Sequence, residues 1–285
     1  FGRSLTQLGK KNKKIIVLDA DVAGGTGLHH FRKAFPDRFI QCGIAEQNMM
    51  SMAGGLSTLG FIPVVTTFAV FMLRAFEQLR LSIAYNNLNV KIVASHTGLD
   101  VGPDGGSAQC LEDLACFRTL PNLKVISPCD PHEMDSATKQ IIKYKGPIYM
   151  RSGRSPIKTI LRKNYKFKIG KGVILKKGND LTIISCGVMT QRSLQAAYEL
   201  KKNGIDARVV NMSTIKAIDK ELIFKCAKET KFFVVAEDHN VIGGLGSAVS
   251  EITARFYPVK IGFVGTNDVF GESGEPDDLI KKYKI

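Results

Sequence analysis

The sequence lacks several features that would place it in common classes of protein. No apolar run in its 285 residues reaches the ~18 residues that a membrane-spanning helix needs, so no membrane partner is expected. The sequence does not open on a basic segment followed by an apolar one, which gives secretion no support. These absences, with an apolar content of 44%, predict a soluble cytoplasmic protein with one large or two modest domains.

Paired cysteines are also missing. The six cysteines form no C-x-x-C pair and no even framework of spacings, which indicates free thiols in a reducing cytoplasm and argues against a cysteine-bound metal. They are Cys42, Cys110, Cys116, Cys129, Cys186 and Cys226.

Charge, in contrast, is abundant and uneven. The net charge is +14, and residues 151–285 carry 24 basic side chains against 14 acidic ones, whereas residues 1–150 carry 16 against 12. The basic residues come without interleaved stacking aromatics and without a nucleic-acid-binding motif, so no nucleic-acid partner is expected. A solvated, lysine-rich surface explains most of the excess. An acidic protein partner and anionic small substrates stay open as alternatives.

Short β-branched strands alternate with helical segments along the chain, and this alternation predicts parallel sheets covered on both faces. A segment with Pro156 and many lysines interrupts this alternation, and we interpret it as a linker. The expected fold class is therefore α/β, as two consecutive three-layer α/β/α domains. Their predicted bounds are residues 1–157 and 173–285, with a basic linker at 158–172.

An acid opens one of the apolar helices. Glu46 follows Gly43, Ile44 and Ala45 and precedes a methionine-rich stretch, so a buried helix would desolvate its carboxyl group. Such a carboxyl group can share a proton with a ring nitrogen. An exposed acid favoured by the helix dipole is the simpler alternative.

Two aromatic rings follow a strand. Phe68 and Phe71 stand at i and i+3 after Pro63–Thr67, where they could sandwich a heteroaromatic ring. Ordinary core packing explains two such residues equally well when they are taken alone.

Two further strand ends carry polar groups. The glycine-rich loop Ser95–Gly106 contains His96 and Asp104, and ligands of open α/β sheets sit outside the carboxyl ends of strands. Arg151 ends a later strand, where a guanidinium can bind a phosphate. A flexible turn and a surface charge are the respective alternatives. The loop Gly243–Gly246 could bind an anion at a helix start or serve close packing.

Taken together, these segments resemble the pyrimidine-binding and C-terminal domains of transketolases, enzymes that use thiamine diphosphate. The resemblance covers nearly the whole chain, and its combined motif is specific although the single pieces are not. The matching segments are Pro36–Phe39, Gly43–Met49, Thr67–Phe71, Arg74–Gln78, Ser95–Gly105, Leu111–Asp113, Arg151 and Glu237–His239.

The resemblance implies a role for each candidate. Glu46 would be catalytic, holding a pyrimidine nitrogen of thiamine diphosphate and favouring its imino tautomer, while Phe68 and Phe71 would pack on the pyrimidine. His96 and Arg151 would hold a sugar phosphate, and Asp104 a sugar hydroxyl. The implied reaction moves a two-carbon ketol unit from a ketose to an aldose, as in pentose phosphate metabolism.

The resemblance also implies a missing half. Transketolases begin with a domain that binds the diphosphate through Mg²⁺ and carries a Gly-Asp-Gly sequence, which is absent here. The chain would then be the C-terminal subunit of a split transketolase. It would be inactive alone, would hold no metal ligand itself, and would pair through its pyrimidine-binding domain in an α2β2 heterotetramer with an N-terminal subunit.

Two positions depart from the family pattern. Ala108 stands where relatives place a side chain that reaches cofactor or substrate, and Gly25 where many have a phosphate-binding serine. A specialised ketose or acceptor is therefore one hypothesis. The competing identities are the β subunit of a 2-oxo acid dehydrogenase, a fragment similar to deoxyxylulose-phosphate synthase, and a non-catalytic scaffold subunit.

Overall fold

A computed structural model describes residues 1–285 and shows two parallel sheets with helices on their faces. Twelve strands build the sheets: β1 Ile15–Asp19, β2 Phe39–Gln41, β3 Ile62–Phe68, β4 Lys91–Ser95, β5 Lys124–Ile126, β6 Ile148–Ser152, β7 Val173–Lys176, β8 Leu181–Ser185, β9 Ala207–Asn211, β10 Thr214–Lys216, β11 Phe232–Asn240 and β12 Lys260–Thr266.

Helices occupy most of the connections between the strands. They are α1 Gly2–Lys11, α2 His29–Ala34, α3 Glu46–Thr58, α4 Ala69–Arg74, α5 Phe76–Gln78, α6 Asp113–Thr119, α7 Pro131–Lys143, α8 Met189–Lys202, α9 Lys220–Thr230, α10 Leu245–Phe256 and α11 Pro276–Tyr283. A π-helical turn at Leu79–Ala84 and 3₁₀ turns at Pro36–Arg38 and Leu99–Asp104 complete the set. No helix is both long enough and apolar enough to span a bilayer.

The first sheet has seven strands in the order β10-β5-β6-β4-β3-β1-β2. Every pair in it is parallel except β10 with β5. Strands β1 and β4 are buried at every residue, which is why they read as continuous apolar runs rather than alternating ones. Parallel strands end at the same edge of a sheet, so the segments after β1, β3 and β4 lie side by side.

The second sheet has five strands in the order β12-β11-β8-β9-β7, with only β7 antiparallel. The α/β class with two mostly parallel sheets is thus confirmed. Strand β10, however, lies in the second part of the sequence and completes the first sheet by pairing with β5. One hydrophobic cluster also runs through both halves, from Ile16 to Ile252, so the two units share a core.

The lysine-rich segment between β6 and β7 contains no helix or strand, but it is attached at several points. Phe167 is fully buried within a cluster that includes Ile141 of α7. The Asp130 carboxylate accepts the N–H groups of Ile160 and Leu161 at 2.9 and 2.7 Å. The segment therefore crosses the first unit along a defined path while its lysines face solvent.

A buried lysine joins three chain segments at the amino-terminal edge of the first sheet. The Lys91 Nζ is completely enclosed and donates to Asn89 Oδ1, Tyr144 O and Gly146 O at 2.6, 2.8 and 2.6 Å. No carboxylate pairs with it, and burial lowers the pKa of Lys91 to about 7. The charged form of Lys91 is therefore stabilised by carbonyl dipoles, with its Nζ 5.5 Å from the centroid of the Tyr144 ring, and by no carboxylate.

This arrangement predicts an unusual dependence of stability on pH. Because the pKa of Lys91 falls to about 7 from 10.5 on folding, the unfolded chain binds more protons between these values. The free energy of unfolding should therefore rise from pH 7 to pH 10 relative to a Lys91→Met variant, by up to about 1.4 kcal/mol per pH unit. Urea unfolding at several pH values measures it. An exposed Lys14→Met variant should follow the wild type, and parallel curves for wild type and Lys91→Met would contradict the prediction.

Candidate functional site

The candidate site lies at the carboxyl edge of the first sheet, where β1, β3 and β4 end next to one another. Strand β1 ends on Asp19, β3 on Phe68 and β4 on Ser95, just before His96. Helix α3 begins beside this edge with Glu46. The sheet thus gathers residues that lie up to 77 positions apart in the sequence, from Asp19 to His96.

Glu46 is buried although it opens a helix. Its residue is 3% exposed, and its Oε2 atom is enclosed and accepts no hydrogen bond. The nearest cation is Arg74, whose Nε lies 3.8 Å from Oε2 and whose side chain is 73% exposed. A buried carboxylate oxygen without a donor costs free energy, about 1–3 kcal/mol for a polar group, so the site suits a ligand that supplies a donor.

Three other side-chain oxygens at this edge are enclosed without partners. They are Asp19 Oδ1 and the hydroxyl oxygens of Thr66 and Thr67. Burial raises the pKa of Asp19, although a hydrogen bond from Gln41 Nε2 to its other oxygen opposes the shift. Unsatisfied buried polar groups are uncommon in folded proteins, and four of the ten such side-chain atoms in this chain belong to this one edge.

Three aromatic rings stack beside these oxygens. The centroids of Phe68 and Phe71 lie 5.4 Å apart at an interplanar angle of 15°, and Phe68 also stacks on His96 at 3.6 Å. The expected sandwich is not found, because a planar ring cannot enter between two rings this close. Phe71 is 37% exposed and can receive a ring on its free side.

His96 and Asp104 are brought together. His96 is buried and adopts a left-handed backbone with φ +57°, which places its Nε2 3.8 Å from Asp104 Oδ2 while Nδ1 contacts Ser95 Oγ at 2.9 Å. Burial and the cationic Arg154 lower the pKa of His96. At neutral pH the ring is therefore uncharged, and it can exchange hydrogen bonds with a substrate hydroxyl.

Arg151 has a different environment from that expected of a surface phosphate ligand. Its guanidinium is buried, and both Nε, at 2.8 Å, and Nη2 donate to the Asp113 carboxylate. Its Nη1 donates to the Asp238 carbonyl at 3.1 Å. Burial alone would raise the pKa of Asp113, but Arg151 outweighs it and holds that pKa below its usual value. These contacts use three of the five N–H donors of Arg151.

A second arginine, which the sequence patterns did not single out, lies closer to the candidate residues. Arg154 Nη2 pairs with Asp104 Oδ1 at 3.1 Å, and its Nη1 donates to Val101 O at 2.5 Å. Its side chain is 36% exposed. Its place two residues after the end of β6 was the only available signal.

The loop that carries His96 and Asp104 is held by the second unit. The Asp238 carboxylate, on β11, accepts the N–H groups of Leu99 and Asp100 at 2.8 and 3.2 Å. Gly98 has φ +72°, and a Cβ there would lie 2.1 Å from Asp238 Oδ2. Gln109 Nε2 also donates to Glu272 O at 3.0 Å. The second unit therefore fixes the conformation of a loop in the first.

The two departures from the family pattern also acquire a location. A Cβ on Gly25 would lie 3.1 Å from Phe68 Cε1 and 3.4 Å from His96 Cε1, so the glycine lets its loop approach the ring stack. Ala108 is buried in the segment that follows the 3₁₀ turn Leu99–Asp104.

The glycine-rich turn before α10 serves packing rather than anion binding. The Glu237 carboxylate accepts the N–H groups of Leu245 and Gly246 at 2.6 and 2.8 Å and so occupies that helix start. Throughout residues 1–285, no group of three or more His, Cys, Asp or Glu side chains could hold a metal ion.

Comparison with known proteins agrees with this geometry. The family model "Transketolase, pyrimidine binding domain" matches residues 1–158, and "Transketolase, C-terminal domain" matches residues 170–285. The chain therefore belongs to the transketolase family.

Three relatives illustrate the relationship. A putative transketolase C-terminal section of Methanocaldococcus jannaschii is 46% identical over 100% of this chain and 90% of its own. A 6-deoxy-6-sulfo-D-fructose transketolase subunit of a Clostridium species is 38% identical over 99% and 88%. A solved structure titled split gene transketolase, inactive beta4 tetramer, has a TM-score of 0.92 and 48% identity over 99% of this chain and 91% of that one.

The close approach of Gly98 to Asp238 predicts that Gly98→Ala disturbs the loop that carries His96 and Asp104. The added methyl group must displace the Asp238 carboxylate, and the alanine must keep the positive φ of Gly98, which a residue with a Cβ disfavours. Together these effects should lower the free energy of unfolding by about 2–4 kcal/mol. Urea unfolding and hydrogen exchange of residues 98–105 measure the effect.

Gly204→Ala is the matched control, because Gly204 has φ +80° and no neighbour within 4 Å of its Cβ. It should lose only about 1 kcal/mol. Equal losses in the two variants, with unchanged exchange in the loop, would show that Asp238 does not constrain Gly98.

Proposed function

We propose that this chain is the C-terminal subunit of a split, thiamine-diphosphate-dependent transketolase that transfers a two-carbon ketol unit from a ketose to an aldose. The observation that carries the proposal is the buried Glu46 Oε2, which has no hydrogen-bond donor and belongs to the sheet edge where the partly exposed Phe71 follows the end of β3. A carboxyl group and an aromatic face at one place suit a nitrogen-containing planar ring.

The residues present fit the pyrimidine half of the cofactor. Glu46 would hold a ring nitrogen and share a proton with it, and Phe71 would pack on the ring with Phe68 supporting it from below. When bound, thiamine diphosphate supplies the carbanion chemistry of the reaction. The protein supplies orientation, exclusion of water and the proton at Glu46.

Substrate binding falls to the loop after β4. Neutral His96 would donate or accept one hydrogen bond with a sugar hydroxyl group, and the Asp104 carboxylate would accept another. Arg154, partly exposed beside Asp104, is the better-placed cation for a terminal phosphate, since two carboxylate contacts engage Arg151. The assignment of Arg151 to phosphate stays a prediction.

The site is half of an active site. No cluster of acidic or imidazole side chains in residues 1–285 suits a metal, so Mg²⁺ and the diphosphate would bind an N-terminal subunit. One relative is called a C-terminal section, and the similar solved structure is a split-gene protein whose tetramer is described as inactive. Both support dependence on a partner and self-association, here as α2β2.

The donor sugar is open to specialisation. One relative is named for 6-deoxy-6-sulfo-D-fructose, a ketose whose terminal group is a sulfonate. Gly25 lies close against the ring stack and Ala108 is buried, so neither position carries the larger polar side chain that is typical of the family. Arg154 could pair with a phosphate or with a sulfonate. A phosphorylated ketose is the primary proposal.

Replacing Glu46 tests the cofactor role. In the complex with the N-terminal subunit, Glu46→Gln should lower kcat on the order of 10²–10⁴-fold, since the amide cannot share a proton with the ring. Calorimetry should also show weaker binding of thiamine diphosphate. Glu199→Gln, an exposed acid on α8, is the control and should change neither value. Near-normal turnover of Glu46→Gln would favour a scaffold subunit.

Paired arginine variants separate substrate binding from structure. Arg154→Ala should raise KM for a phosphorylated ketose far more than for its unphosphorylated analogue. Arg151→Ala should instead lower stability by about 3–5 kcal/mol, because it leaves Asp113 buried and unpaired. Steady-state kinetics and thermal unfolding provide both readouts. A stable Arg151→Ala variant with the phosphate-selective KM effect would restore the assignment made from the sequence.

A further inference from the structure

A surface hollow lies away from the candidate site and shares none of its residues. It has a volume of about 270 Å³ and is bounded by the end of α6, strand β10 with the turn after it, the start of α9 and the end of α10. Its walls therefore come from both units of the chain.

The floor of this hollow is apolar. Ile215, Ala248 and Ile252 line it and are nearly fully buried. Phe256, the last residue of α10, forms one wall and is 59% exposed. Phe224 packs edge-on against that ring at 5.7 Å, which leaves part of the phenyl surface uncovered. A large aromatic side chain so placed is able to receive a planar partner.

The rim is strongly cationic. Arg118, Lys216, Lys220 and Arg255 line the hollow, and the only carboxylate among its lining residues is Glu251. Glu251 pairs with Arg118 at 2.7 Å, whereas no ion pair in residues 1–285 engages Lys216, Lys220 or Arg255. The Lys220 Nζ lies 6.0 Å from the centroid of Phe256, at the junction of rim and ring.

The positive charge at the rim is poorly compensated. The Lys216 ammonium donates to the Leu120 carbonyl, and burial lowers its pKa, with further lowering by Lys124 and Arg118. Like charges that repel one another around a concave surface raise the local concentration of anions. A bound anion would relieve this repulsion.

We propose that this hollow is a binding site for a small organic anion with a flat apolar body, such as an aryl phosphate. The ring would lie against Phe256 over the floor formed by Ile215 and Ile252. The anionic group would lie among Lys216, Lys220 and Arg255. Ligand sites commonly combine apolar walls with a few convergent polar groups, as this one does.

The two parts of the surface exclude simpler ligands. Inorganic phosphate would use the cations but leave the apolar floor and the ring in water. A neutral aromatic molecule would cover the floor but leave the cations uncompensated. Both parts are satisfied only by a molecule that carries a ring and an anion together.

Calorimetry on the full chain tests the proposal with phenyl phosphate, inorganic phosphate and phenol at constant ionic strength. Phenyl phosphate should bind at least about tenfold more tightly than either of the others. Phe256→Ala should abolish that preference while leaving the weak binding of inorganic phosphate unchanged. Phe270→Ala removes a ring that is 88% exposed elsewhere and should behave as wild type.

A charge variant completes the test. Lys220→Gln with Arg255→Gln should weaken phenyl phosphate about tenfold or more, whereas Lys225→Gln with Lys228→Gln, on exposed positions of α9, should not. Equal affinity of the wild type for phosphate and phenyl phosphate, or equal losses in test and control variants, would overturn the proposal. These measurements need no thiamine diphosphate and no partner, so their outcome is separate from that of the proposed function.

Discussion

The buried contact between Arg151 and Asp113 is the interaction on which the arrangement of the site depends. Arg151 is the penultimate residue of β6 and Asp113 begins α6, so the ion pair fixes that helix against the edge of the first sheet. Tyr149 donates a further hydrogen bond to Asp113 at 2.5 Å. The same guanidinium reaches the Asp238 carbonyl and so connects the second unit. A buried charge pair is costly unless its hydrogen bonds are satisfied, and here both partners are.

From Asp238 the constraint passes to the loop that carries His96 and Asp104. Its carboxylate holds two N–H groups of that loop, and its carbonyl is held by Arg151. The two units also share strand β10 and a common core, and Glu133 of α7 accepts hydrogen bonds from Asn211 and Ser213 of the second unit. The C-terminal unit is thus part of the scaffold that shapes the loop for which substrate binding is proposed.

The carboxyl edge of the first sheet shows a different balance of forces. Polar oxygens of Asp19, Glu46, Thr66 and Thr67 are enclosed without partners, which costs about 1–3 kcal/mol for each group in the chain alone. A ligand or a partner subunit that supplies donors would recover this free energy. Six further buried side-chain atoms without partners are scattered over other parts of the fold, whereas these four belong to one sheet edge, where binding is proposed.

The sequence was enough to predict the family, through its combined motif. It was also enough to predict the α/β class and most strands, because β-branched runs buried on both faces leave a clear pattern. It also pointed to Glu46, Phe68, Phe71, His96 and Asp104, whose residue types recur in a fixed order. The folded structure was needed to place β10 in the first sheet and the Asp238 carboxylate against the loop that carries His96 and Asp104, since pairing between distant segments leaves no local signal. It likewise separated Arg151, within β6, from Arg154, just after that strand: Arg151 is buried beside Asp113, a contact that no local sequence pattern encodes, whereas Arg154 is partly exposed.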